Sequence, residues 1–164
     1  MGQTVHLAGR DDHRVFYIDK VEGGSEVQMR SRIGGRALLH TAGVAKVIMA
    51  FAPESAQDAA IAECGFERYT PTTITSAADL AREWALIRNK GWAVDDREHE
   101  DWINCIAVPI FDARGDAVAG LSATAVRAIT SLETLQTHLP TILETRDAIS
   151  LELGWRPTPS TVRS

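Results

Sequence analysis

The order of apolar and polar positions divides the chain into alternating blocks of strand-like and helical sequence. Two apolar runs, Val5–Ala8 and Val15–Ile18, flank a segment rich in turn-forming residues and therefore predict a β-hairpin. Other short apolar runs predict four more strands: Val27–Arg30, Trp92–Asp95, Ile103–Phe111 and Ala117–Thr124. Sequential strands joined by short turns are typical of an antiparallel sheet.

Between the strand blocks, apolar residues recur at three- and four-residue steps, which is the period of a helix. The first predicted helix begins near Thr41 and ends before Pro53, where a second helix starts and runs to Gly65. Ser76 is placed to cap a third helix, which ends at Lys90-Gly91. The middle of the chain is therefore expected to be helical.

The last block predicts one long helix with an interruption. Thr130 and Glu133 have the spacing of a capping box, and Pro140 is expected to kink or divide the helix. The helix should end at Gly154, and residues 155–164 have the composition of a mobile tail. The order β-β-β-α-α-α-β-β-β-α predicts an α+β domain with a six-stranded, mostly antiparallel sheet and helices on both faces.

Composition and charge narrow the class of protein. The chain has 164 residues with 17 basic and 22 acidic side chains, giving a formal net charge of −5. This length predicts one domain, and this charge argues against a nucleic-acid-binding surface spread over the whole chain. No apolar run reaches the roughly 18 residues of a membrane span, and the first residues lack the pattern of a signal peptide. Cys64 and Cys105 lie in unlike contexts, so we expect reduced thiols and a soluble, cytoplasmic protein.

Candidate catalytic and metal-binding residues are few. His99 stands within the acidic run Glu98–Asp101, which predicts either a cation site or, more commonly, a solvated loop. No histidines or cysteines have the paired spacing of zinc ligands, so neither a metal nor another cofactor is expected. Cys105 lies within an apolar run, where a cysteine is more often an inert small side chain than a nucleophile.

The segment His40–Val44 introduces the first predicted helix with small residues. Free N–H groups at such an end attract anions, and small side chains let a ligand approach the backbone. Simple packing of the helix start explains the same residues equally well, so both interpretations stay open on this evidence. Asp95 and Asp96 are adjacent in a predicted strand, so only one of the two carboxylates can face a pocket.

Several segments, taken in order, resemble the C-terminal effector-binding domain of the isocitrate lyase regulator (IclR) family of bacterial transcription regulators. The matching segments are Tyr17–Gly23, Arg32–Arg36, His40–Lys46, Tyr69–Thr75, Gly91–Glu98 and Cys105–Ile110. The resemblance extends from about Thr4 to Gly154. Ala45 departs from it, because a glycine usually precedes the lysine at this place in the family.

This resemblance implies a GAF-like effector-binding domain over residues 1–154 and a sensor rather than an enzyme. The effector would be a small organic acid, either a keto or a hydroxy acid, and sugar-derived acids are among those that the family senses. Family members form homodimers or homotetramers through this domain and bind DNA through a winged helix-turn-helix that precedes it. Only three residues precede Thr4, so we expect that DNA-binding domain to be absent from this chain.

The family's ligand-binding positions carry over to this chain one residue at a time. The backbone amides of Gly43 and Val44 would hold the effector's carboxylate, and Asp95 would accept hydrogen bonds from its hydroxyl group. The other positions would form the walls of the pocket: Cys105 as a soft wall, Ser122 and Thr124 as hydroxyl donors, and Met29 and Ala37 as apolar walls.

Two other functions stay open at the level of the sequence. The chain would be a small enzyme acting on a keto acid if Cys105 and Asp95 formed a catalytic pair. It would be a pure oligomerisation module if the pocket bound nothing. Turnover of candidate acids would favour the enzyme, whereas saturable binding without product would favour the sensor.

Overall fold

The computed structural model describes residues 2–24 and 29–157, and its strands form one five-stranded sheet in the order β2-β1-β5-β4-β3. The strands are β1 (Thr4–Asp11), β2 (Arg14–Val21), β3 (Ala93–Asp96), β4 (Ile103–Phe111) and β5 (Ala117–Val126). Every neighbouring pair of strands is antiparallel. The α+β class and the antiparallel sheet predicted from the sequence are confirmed.

The prediction of a sixth strand, Val27–Arg30, is not met by the described part of the chain. Its first half, within residues 25–28, lies outside the described residues. Met29 and Arg30 are described, and neither belongs to a strand. The sheet of the described residues therefore has five strands rather than six, and the GAF-like assignment stays a prediction.

Helices cover both faces of this sheet. They are α1 (Gly43–Ala50), α2 (Glu54–Glu63), α3 (Ala77–Lys90), α4 (Leu132–Gln136) and α5 (Leu139–Glu152). On one face, Val47 of α1 and Trp84 of α3 pack in a core with Ala107 of β4. On the other face, Ile106 of β4 packs with Leu135 of α4. Adjacent residues of one strand thus serve two cores, because successive side chains point to opposite faces of a sheet.

The hairpin of β1 and β2 is tighter than the sequence predicts. Arg10 and Asp11, expected in the turn, pair with Val15 and Arg14 in the sheet. Only two residues connect the strands, and the first of them, Asp12, has a φ of 55°. Two-residue hairpin turns need this left-handed conformation, which aspartate tolerates better than most residues.

Local capping signals correctly located α3 but misplaced the start of α4. The Ser76 side chain accepts a hydrogen bond from the backbone N–H of Asp79, as predicted. At α4 the cap is Ser131, which accepts from the N–H of Thr134, and the predicted capping box at Thr130 is wrong by one residue. Pro140 lies in the first turn of α5, so it divides the predicted long helix into α4 and α5.

The C-terminal end of the described chain returns to the sheet. Trp155, the first residue of the predicted tail, stacks on Phe111 with ring centroids 5.6 Å apart. Residues 158–164 of that tail lie outside the described residues. Both cysteines are free thiols, as expected. Among the described helices, none combines the length and the apolar character needed to cross a membrane.

Candidate functional site

A cavity of about 260 Å³ lies between the N-terminus of α1, one face of the sheet and the segment that precedes α1. All five strands of the sheet contribute side chains to its walls. The segment before α1, residues 29–42, covers the cavity and contributes Met29, Arg36 and Thr41; we call it the covering segment. Gly43 and Val44 close the cavity at the helix start. Segments that are distant in sequence therefore build a single pocket.

Antiparallel register places three of the predicted site residues side by side. Asp95 on β3 lies opposite Cys105 on β4, and Cys105 lies opposite Thr124 on β5. Ser122 shares the face of Thr124 because side chains alternate along a strand. The side chains of this row all line the cavity.

The start of α1 presents backbone N–H groups to the same cavity. Ala42 is the N-cap residue, and no side chain caps the helix. The first N–H groups of a helix have no partner within the helix, and they carry the positive end of its dipole. A Cβ atom at Gly43 would lie 3.2 Å from the Cys105 Sγ atom, so the helix end packs closely against the sheet. An anion entering here would meet both the N–H groups and the polar row of the sheet.

Seven of the eight predicted ligand-binding residues line this cavity: Met29, Gly43, Val44, Asp95, Cys105, Ser122 and Thr124. Ala37 is the exception. It is buried in the core beside Val15 and borders a second cavity of about 200 Å³. Its backbone N–H donates to the Val15 carbonyl, and Ala37 is not among the residues that line the first cavity. The placement of Ala37 in the pocket wall is therefore wrong.

Asp95 is the buried carboxylate of the cavity. Its Oδ1 atom accepts a hydrogen bond of 2.8 Å from the backbone N–H of Glu98. Burial raises the pKa of Asp95 to about 6, although Lys46 nearby opposes this rise. Asp96, by contrast, pairs with Arg97 through a 2.8 Å contact. The expectation that only one of the two neighbouring aspartates faces a pocket is confirmed.

Behind Asp95 lies an ion pair in which Lys46 is fully buried and Glu98 is largely buried. The Lys46 Nζ atom is 2.6 Å from each carboxylate oxygen of Glu98 and 3.5 Å from an oxygen of Glu83. Burial lowers the pKa of Lys46, but the nearby carboxylates together outweigh this effect and raise the pKa, so its ammonium group stays charged. The hydroxyl of Thr73 donates to the Glu98 carbonyl oxygen at 2.6 Å and holds this loop in place.

The contacts of Glu98 bear on whether the acidic run 98–101 can bind a cation. The side chain of Glu98 is engaged by Lys46, so it is not available to a cation. The described residues hold no group of three or more histidine, cysteine, aspartate or glutamate side chains placed to bind a metal ion. The alternative of a cation site at His99 is not supported.

Cys105 has the properties of a wall rather than of a nucleophile. Burial raises the pKa of its thiol to about 12, with Asp95 as the second cause. The reactive form of cysteine is the thiolate, which this environment disfavours. The arrangement therefore does not support a catalytic pair of Cys105 and Asp95.

The sequence did not indicate several residues that line the cavity, and His6 is one of them. It lies on β1 directly opposite Ser122 and is 4% exposed. Tyr17 and Thr41 also line the cavity. The alternation of β1, in which Thr4, His6 and Ala8 point inwards, was the available signal. Alternation predicts which residues share a face, but it does not reveal which strand will lie beside them.

The sequence matches the family described as bacterial transcriptional regulator IclR C-terminal over residues 1–151. The chain belongs to the IclR family of bacterial transcriptional regulators. The resemblance found in the sequence motifs is thus confirmed. The relatives of this IclR domain are transcriptional regulators rather than enzymes.

Relatives of known structure have the same fold as this IclR domain. The IclR protein of Thermotoga maritima matches with a TM-score of 0.86 and 38% identity, over 94% of this chain and 62% of its own. The C-terminal domain of the Escherichia coli regulator KdgR matches with a TM-score of 0.82 and 30% identity, over 94% of this chain and 90% of that domain.

Curated relatives extend well beyond the matched IclR region. The HTH-type transcriptional regulator KdgR of Escherichia coli is 31% identical over 157 residues, which are 96% of this chain and 60% of that protein. KdgR of Dickeya chrysanthemi is 36% identical over 120 residues, which are 73% of this chain and 39% of that protein. The chain therefore spans roughly half the length of the curated regulators that it matches.

Proposed function

We propose that this domain senses a small organic acid and controls DNA binding by a helix-turn-helix domain that lies outside this chain. The observation that carries the proposal is the cavity at the uncapped N-terminus of α1, where backbone N–H groups face a row of buried polar side chains. A helix N-terminus is a natural site for a carboxylate because its N–H groups and its dipole both favour negative charge.

The size and lining of the cavity suggest the class of ligand. A volume of about 260 Å³ lies just below the roughly 300–1,000 Å³ of pockets for drug-sized ligands, so it suits a small metabolite. The carboxylate would lie at Gly43 and Val44, and a hydroxyl or keto group would face Asp95. A carboxylate ligand placed directly against ionised Asp95 would be repelled, so the acid end must lie away from it. A keto or hydroxy acid, including acids derived from sugars, fits this arrangement.

Sensing requires that the ligand favours one state of the regulator over another. In the proposed mechanism, the acid stabilises one arrangement of the domain within a homodimer or homotetramer. The change in subunit contacts then alters DNA binding in the cytoplasm. The relatives named HTH-type regulators support this proposal, and sedimentation of the purified chain measures its oligomeric state.

A thermal-shift screen across small keto, hydroxy and aromatic acids tests the sensor function. A ligand that binds only the folded domain raises Tm, by an amount that grows with its concentration. We expect at least one acid to raise Tm, with calorimetry showing saturable binding and chromatography showing no product. Conversion of the acid would point to an enzyme, and absence of any binding would leave an oligomerisation module.

A further inference from the structure

His6 connects the strands of the cavity with the segment that covers it. Its Nδ1 atom lies 3.3 Å from the Thr124 Oγ1 atom and 3.5 Å from the Ser122 Oγ atom. Its Nε2 atom lies 2.7 Å from the Oγ atom of Ser31, in the covering segment. One ring therefore faces three hydroxyl groups, two of which were assigned to ligand binding from the family resemblance.

The ring of His6 is neutral at physiological pH. Burial, and to a lesser extent the charge of Lys20, lower the pKa of His6 to about 4, with Glu22 opposing the shift. The Lys20 Nζ atom donates to the carbonyl oxygens of Met29 and Ser31, which places its charge close to the ring. A neutral imidazole has one N–H donor and one acceptor nitrogen, so the two sides of His6 must play opposite roles.

The two tautomers give the cavity opposite hydrogen-bonding properties. If Nε2 carries the proton, Nδ1 accepts a hydrogen bond from Ser122 or Thr124. The hydroxyl proton used in that bond can then not be donated to a ligand. If Nδ1 carries the proton, it donates to these oxygens, and their hydroxyl protons can point into the cavity or towards the Cys105 thiol, which also lies within reach of both groups. The second arrangement suits a carboxylate, which only accepts hydrogen bonds.

The contact distances are compatible with the second arrangement, which is the one that an anionic ligand would select. Hydrogen bonds donated by a hydroxyl are typically shorter than those donated by N–H. At 2.7 Å, the contact at Nε2 allows the Ser31 hydroxyl to donate to the ring, whereas the Nδ1 contacts of 3.3 and 3.5 Å with Thr124 and Ser122 are longer than an ordinary N–H hydrogen bond.

We propose that His6, protonated on Nδ1, orients the hydroxyls of Ser122 and Thr124 towards the ligand and makes this wall selective for an anionic group. His6 is thus a positioning residue, since it acts through the two hydroxyls. This inference rests on the proposed function, because it assumes that the cavity binds an acid. It also implies that the Ser31 hydroxyl is committed to the ring, which fastens the covering segment to β1.

Long-range ¹H–¹⁵N correlation spectra of the histidine rings test the tautomer without any ligand. The His6→Phe variant identifies the His6 signals by their loss. We expect a neutral ring with the proton on Nδ1 throughout the range from pH 5.5 to 8. A ring protonated on Nε2, or one that becomes charged within this range, overturns the proposal.

Binding of acids and of their neutral amides tests the selectivity. Calorimetry would compare pyruvate, glycerate and benzoate with the corresponding amides, for the wild type, His6→Phe and His6→Asn. We expect His6→Phe to weaken binding of the preferred acid about tenfold and to change amide binding less than about twofold, because hydrogen bonds to charged groups are stronger than neutral ones. His6→Asn should retain most of the preference, because its amide nitrogen can replace the Nδ1 donor.

Controls separate this role from a structural one. His13→Phe alters a histidine outside this cavity and should leave the ratio of acid to amide affinity unchanged. An equal loss of acid and amide binding in His6→Phe, or no loss, overturns the role of His6. If His6→Phe does not fold, His6→Asn takes its place in the test. A His6→Asn variant that binds acid and amide equally well would then overturn the proposal. If no acid binds the wild type, the proposed function fails and the selectivity falls with it, whereas the tautomer is still measured by NMR.

Discussion

Gly43 has no side chain, and this lets the start of α1 pack closely against the sheet beside the cavity. A Cβ atom at this position would lie 3.2 Å from the Cys105 Sγ atom and 3.3 Å from the Ala107 Cβ atom. These side chains, or the helix start itself, would have to shift by a few tenths of an ångström to make room. At the residue scale, the site therefore depends on atoms that are missing as well as on the polar groups that are present.

Gly43→Ala is expected to weaken acid binding about tenfold or more and to destabilise the domain by about 1–3 kcal/mol, the usual cost of overpacking. Calorimetry and urea unfolding measure the two effects. Gly65→Ala is the matched control, because a Cβ atom there meets nothing within 4 Å. Adding Cys105→Ala should recover part of the lost stability, since it removes the nearer contact. Unchanged affinity in Gly43→Ala would remove the helix start from the site.

Asp95→Asn is expected to stabilise the ligand-free domain at neutral pH. The pKa of Asp95 is raised to about 6 in the folded state from its ordinary value of 3.8. Between these values the folded domain binds a proton that the unfolded chain has released, so stability falls as pH rises through this window. Above pH 6 the loss is on the order of 3 kcal/mol, and asparagine avoids it.

Unfolding of the wild type and Asp95→Asn at pH 4 and pH 7.5 measures this effect. The two proteins should be similar at the lower pH and differ at the higher one. Ligand affinity should move in the opposite direction, because asparagine is a weaker acceptor for a ligand hydroxyl. A stability difference that is the same at both pH values would show that the Asp95 charge is not the cause.

At the scale of elements, capping residues and prolines determine where most helices begin and end. The start of α4 is the exception, because there the sequence pattern predicted the wrong cap. Ser76, Gly91 and Pro140 act where the sequence pattern puts them. Thr130 and Ser131 are adjacent and both suit an N-cap, so the choice between them was not a local matter. The Thr130 backbone N–H donates to the Val126 carbonyl, and so does the backbone N–H of Ile129. These contacts keep Thr130 in the turn after β5, and the next residue caps the helix.

Ser76→Ala is expected to cost about 1 kcal/mol, which lowers Tm by roughly 2–4 °C in a domain of this size. The Ser76 Oγ atom accepts from the Asp79 N–H at 3.1 Å, and alanine cannot replace this bond. Ser76→Asn provides the matched control because asparagine also caps helices. Calorimetric melting of the three proteins decides the matter, and an equal loss in both variants would contradict a capping role.

At the scale of the whole molecule, the pair of Lys46 and Glu98 joins α1 to the loop between β3 and β4. Lys46 is fully buried on a helix that is apolar in every other position, and its only possible charge partners come from other elements. Glu83 of α3 completes the contact. Asp95, which lines the cavity, accepts a hydrogen bond from the Glu98 N–H. A chain of polar contacts therefore runs from the cavity through Glu98 and Lys46 to α3.

Lys46→Met is expected to destabilise the domain by about 3–5 kcal/mol at a pH well above 7, because Glu98, whose pKa burial raises to about 7, loses the cation that opposes this rise and is left ionised without a partner. The double variant Lys46→Met with Glu98→Gln should recover much of this loss, since no buried charge remains. Urea unfolding of the single and double variants gives the comparison. If the double variant were no more stable than Lys46→Met, lost packing rather than an unpaired charge would be the cause.

The sequence by itself determined the types of most elements and seven residues of the cavity. Periodicity, caps and turn residues depend on neighbours only a few positions away, and the family motifs carried the site residues with them. Tertiary structure alone decided the position of Ala37, the pairing of Lys46 with Glu98 and the contact of His6 with Ser122 and Thr124. These features depend on which strands lie side by side and in what register, and that pairing joins residues far apart in the chain, beyond the reach of any local pattern.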